Sequence, residues 1–70
     1  MTQPEISKRV EFYVLSTGTT VASTSLDPAV TYLPNDEIEL PTIGVFRLVQ
    51  RRWHVAADAR VLILELEEVH

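Results

Sequence analysis

The chain has no cysteine and only two glycines, and its aromatic residues are one Trp, two Tyr and two Phe. Without cysteine there is no disulfide staple and no thiolate metal site. With two glycines there is no room for a glycine-rich phosphate loop of the usual form. Lysine and arginine total six against ten acidic residues, for a net charge of −4 and a pI near 4.9. That balance weighs against nonspecific binding to nucleic acid or an anionic membrane, because both need a positive footprint. No apolar run approaches the roughly 20 residues of a membrane span. The first residues lack a basic stretch followed by an apolar one, so no signal peptide is expected and a cytoplasmic location is.

What is present is an ordinary globular composition, 46% hydrophobic and 23% charged. Seventy residues make one small domain. A chain of this size buries only about 60% of the surface its unfolded form exposes, so an efficient closed sheet or an oligomer must supply the rest of its stability. Residues 1–7 read as a flexible N-terminal tail, with a short helical turn capped by Thr2 as the alternative. Residues 8–70 read as a single β-barrel domain.

Alternation organises that domain. In Lys8–Leu15, Val10, Phe12 and Val14 share one face, the period of a strand. Ser16–Thr19 reads as a hairpin turn around Gly18. Thr20–Leu26 is a second strand, rich in β-branched residues and ended by Pro28. Pro34 and Pro41 bracket a short strand, Glu37–Leu40, with Ile38 and Leu40 inward. From Gly44 to Glu67 runs a long hairpin joined at Ala56–Ala59. In its first strand Phe46 and Leu48 lie on one face, but Val49, Trp53 and Val55 fall in the opposite phase. A flat strand cannot put both sets in one core, so a bulge or bend is expected between Val49 and Arg52. In its second strand Leu62, Leu64 and Leu66 share a face, while Val61 and Ile63 occupy the other. Helix is the rival reading of both long runs. The β-branched content, clean alternation and flanking Pro and Gly favour strand.

The fold class expected is all-β: a small antiparallel SH3-like barrel or curled sheet of about five strands. The segment Leu33-Pro34-Asn35-Asp36-Glu37-Ile38-Glu39-Leu40, leading into Gly44-Val45-Phe46-Arg47-Leu48-Val49, carries a resemblance. Its proline, acidic turn, short strand, glycine and long strand resemble the layout of small bacterial and phage SH3-like barrels. The resemblance covers about half the chain and implies a fold group, not an activity. Tyr13, Tyr32 and Trp53 are too few and too scattered to imply the polyproline groove of peptide-binding SH3 domains.

No constellation for catalysis is visible. His54 and His70 have no nucleophile or triad signature around them, and Glu67, Glu68 and His70 at the chain end make a poor metal site. The reading is therefore not an enzyme, with no cofactor and no metal. Two surfaces remain. With the first and last strands side by side, Tyr13, Leu15, Val61 and Ile63 would form an outward apolar face for a protein partner or a homodimer. The alternative is a nucleic-acid face of Arg47, Arg51, Arg52 and Trp53, set against the simpler expectation that these arginines pair with glutamates across strands and that Trp53 lies in the core or at its rim.

Overall fold

In a computed structural model, which describes residues 6–69, the chain is all β. Five strands are formed: β1 (Ser7–Val14), β2 (Thr19–Ser25), β3 (Glu37–Leu40), β4 (Gly44–Val55) and β5 (Ala59–Glu68). They make one sheet in the order β2-β1-β5-β4-β3, curled into a half-barrel. Three of the neighbouring pairs are antiparallel, but β1 and β5 run parallel, so the sheet is mixed where an antiparallel one was expected. Ser7 already belongs to β1, and its amide donates to the carbonyl of Asp58 at 3.0 Å. The rest of the expected N-terminal tail, including the cap at Thr2, falls outside the described residues, apart from the exposed Ile6.

Alternation places the core. Val10, Phe12 and Val14 of β1 stand opposite Leu62, Leu64 and Leu66 of β5, and Leu66 in turn stands opposite Leu48 of β4. These residues, with Phe46 and Leu40, are the buried cluster. The connection between β2 and β3 folds over this inner side. Leu26 and Tyr32 pack against the cluster, and the Tyr32 ring meets Phe12 edge-on with centroids 6.4 Å apart. The connection thus covers the concave face and not the outer one.

The turns follow their residues. Gly18 has φ +66° in the β1–β2 turn, where its amide donates to the Val14 carbonyl. At the β3–β4 turn Pro41 precedes Thr42, and the amide of Ile43 donates to the Leu40 carbonyl at 3.0 Å. Thr42 has φ +66°, a left-handed value that costs a β-branched residue energy and that a turn of this shape demands of its third position. Asn35, also left-handed, is a residue that tolerates the region.

The expected irregularity in the long strand is present. The pairing of β4 with β5 slips between Leu48 and Gln50, so Val49 is an extra residue. Before the slip Leu48 faces Leu66; after it Arg51, Trp53 and Val55 stand opposite Leu64, Leu62 and Arg60. The bulge thereby returns Trp53 and Val55 to the phase of the core.

Candidate functional site

β3 is only four residues long because Pro34 and Pro41 limit it, whereas β4 has twelve. β3 pairs with β4 from Gly44 to Arg47, and the loop before it reaches one residue further, where Leu48 exchanges hydrogen bonds with Asn35 and Asp36 at 2.8 and 2.9 Å. Beyond Leu48, among the described residues, β4 has β5 on one side and no strand on the other. Gln50–Val55 is therefore an arm with an open edge. It contributes to the elongated shape of the molecule, 52 × 25 × 22 Å. On this arm every side chain is exposed, including Trp53 at 53% and Val55 at 63%. Trp53 is a rim residue; the phase of the core is not enough to bury it, because among the described residues no element lies over the end of the concave face.

The residues expected to form an alternative nucleic-acid face do not share one. Arg51 and Trp53 point to the inner side with Leu64 and Leu62. Arg47 and Arg52 point to the outer side with Glu67 and Ile63. Arg47 is paired as expected, its guanidinium 3.3 Å from Glu67, with Glu37 directly opposite on the other flank. Among the described residues neither Arg51 nor Arg52 has an anionic partner. Arg60 has a different task. Its guanidinium donates to the carbonyls of Ala56 at 2.6 Å and Ala59 at 3.0 Å, closing the β4–β5 turn. The arginines of the expected face are thus one cross-strand pair and, among the described residues, two arm residues with no anionic partner.

The expected apolar outer face is also divided. β1 and β5 are indeed neighbours, but Val61 is buried at 4% exposure, and Arg9 and His54 stand opposite it on either flank. Tyr13 and Ile63 are half-buried and Leu15 is exposed. Between them lie two carboxylates. Glu11 stands opposite Ile63 and is held 3.0 Å from Arg9; Glu65 stands opposite Tyr13 and is itself buried, accepting a hydrogen bond from Gln50. The four residues do not make a continuous exposed apolar patch, because alternation sets charged residues into the same rows.

A shallow open depression of about 310 Å³ lies at the β3–β4 turn, lined by Glu39, Leu40, Thr42, Ile43, Gly44 and Val45. Its lining offers one carboxylate, that of Glu39, and one hydroxyl, that of Thr42. Among the described residues no three His, Asp or Glu side chains are grouped to hold a metal ion; His70 falls outside them. The open arm was missed in the sequence, although a signal for it was there: a proline-bounded strand of four residues cannot cover a neighbour of twelve.

These features define a class, a small all-β domain with a curled five-stranded sheet and one strand arm that, among the described residues, is open along one edge. Compared with known protein families, curated proteins and solved structures, the chain matches none of them.

Proposed function

We propose that the chain is a non-catalytic protein-interaction module that works through the β4 arm, with a second copy or a different protein as its partner. The observation that carries this reading is the exposure of Trp53 and Val55, which share the inner side of a strand whose other edge is open among the described residues. Large apolar side chains gathered on an unpaired edge mark a contact surface. They sit away from the outer face around Val61, so the arm is the better working surface of the two. Kinship with SH3-like barrels is supported by the layout from Leu33 to Val49 and by the half-barrel curl.

The test is site-specific photo-crosslinking in cells that express the protein. A photoreactive residue at Val55 should give a discrete adduct, either a dimer or a heavier product. The same residue at Ser23, on the opposite edge of the sheet, should give none. Equal labelling from both positions, or no adduct from either, overturns the reading.

A further inference from the structure

Among the described residues the sheet has three stretches of open edge, and they differ in how they are protected. β3 is short, bounded by prolines and carries Glu37 and Glu39. β2 is interrupted by an extra residue at Val21, where its pairing with β1 slips. Both are devices that discourage a further strand. The arm from Gln50 to Val55 has neither proline nor bulge within it, and it is basic on a molecule of net charge −4.

Its backbone is set to receive a strand. Ala56 and Ala59 exchange hydrogen bonds at 3.0 and 3.5 Å across the turn. Counting back along an antiparallel ladder, His54, Arg52 and Gln50 direct their N–H and C=O groups to β5. Val55, Trp53 and Arg51 direct theirs to the open side. Three donors and three acceptors therefore line the edge in continuation of the slot that β3 fills. Arg52 projects on one face of that edge, and Arg51 and Trp53 on the other.

We infer that this edge takes up an extended acidic segment of a partner protein, which adds to the sheet antiparallel to β4, as β3 does. The inference rests on the arm being the interaction surface and names the chemistry of its partner. Main-chain hydrogen bonds supply the binding, and acidic side chains at two adjacent positions, which point to opposite faces, meet Arg51 on one face and Arg52 on the other. A second copy leaves that charge unmet: two arms paired antiparallel about Trp53 set Arg51 opposite Val55 and Arg52 opposite His54, whereas an acidic segment supplies an anion to each arginine. A nucleic acid offers charge but not the alternating donors and acceptors that this edge complements.

Trp53, the single tryptophan, is a built-in reporter. The experiment is a fluorescence titration of the full chain with three probes: an eight-residue Thr-Val peptide with two adjacent Glu at its centre, the same peptide with two Lys in their place, and a single-stranded oligonucleotide. The Glu peptide should saturate a change in Trp53 emission, and binding should weaken in high salt. N-methylation of alternate peptide amides should abolish it. Reversing both charges with R51E and R52E should weaken it roughly tenfold, the sum of two reversed cross-strand charge pairs. The probe series and salt dependence are read on the unaltered protein, so they decide even if that variant folds poorly. Binding of the Lys peptide as tight as the Glu peptide overturns the inference, as does indifference to N-methylation. So does tighter binding of the oligonucleotide, or a Trp53-dependent dimer in light scattering. No binding of the Glu peptide, alongside a specific adduct at Val55, removes the acidic strand and leaves the interaction module standing. Loss of the adduct removes the module itself.

Discussion

Burial separates residues that look alike in the sequence. Leu64 and Trp53 are both large and apolar, and both point to the inner side of the sheet. Leu64 is fully buried and Trp53 is more than half exposed. Truncating Leu64 to Ala removes packed methyl groups and leaves a cavity, at a cost of about 2–5 kcal/mol. For a domain of 70 residues, with total stability on the order of 5 kcal/mol, that is most of what holds it folded. Trp53→Ala removes solvent-facing surface and should change stability by about 0.5 kcal/mol or less. Urea denaturation of the two variants tests this; equal losses would mean that Trp53 is covered in solution. The alternation of Leu62, Leu64 and Leu66 made the first half of this contrast legible in the sequence. The second half was not, because phase says which side a residue faces and not whether anything lies over that side.

At the scale of the strand, the mismatch between β3 and β4 is the central fact, and the bulge at Val49 sits where it begins. The need for a face change near that position was legible from the conflict between Phe46 and Leu48 on one side and Trp53 and Val55 on the other. The structure assigns it to one residue, Val49. Removing Val49 would let Leu48, Gln50 and Arg51 pair in an unbroken ladder with Leu66, Glu65 and Leu64, the partners they already have. Deletion of Val49 is therefore expected to keep the fold, with a stability change within about 1 kcal/mol, the scale of a surface change that leaves core packing intact. The arm would lose the extra twist that a bulge confers. Cross-strand NOEs between Gln50 and Glu65 and between Trp53 and Leu62 check the register. Their loss, or a shift of Arg52 to the inner side, would show that the bulge sets the faces and does not merely absorb a residue. That β1 and β5 lie side by side was expected from the SH3-like layout, but their parallel direction was not legible. Val10, Phe12 and Val14 alternate against Leu62, Leu64 and Leu66 equally well in either direction, and local pattern does not say which strands are neighbours.

For the whole molecule, that parallel pairing sets the order of assembly. β4 and β5 are joined by three residues, Ala56–Asp58, and the turn is clipped by Arg60, so their hairpin closes at small cost in chain entropy. β1 is remote in sequence: Ser7 pairs with Ala59 and Val14 with Leu66, across β2, β3 and β4. Its docking closes a loop of most of the chain and completes the core, since Val10 and Val14 are buried only against β5 and the elements packed there. A transition state built on the β4–β5 hairpin, with β1 and β2 added late, follows from local contacts forming before non-local ones. Leu48→Ala and Leu66→Ala should then slow folding, while Val10→Ala should chiefly speed unfolding. Stopped-flow chevrons of the three variants decide the matter. A Val10→Ala variant that slows folding as much as Leu66→Ala would place β1 in the nucleus and make the hairpin arm a late addition. An early hairpin presents the Gln50–Val55 edge before the sheet is complete, when it is most open to unwanted strands. Arg51 and Arg52 place charge on that edge, which discourages pairing with unwanted apolar strands, and in the finished sheet the same charges would favour an acidic strand.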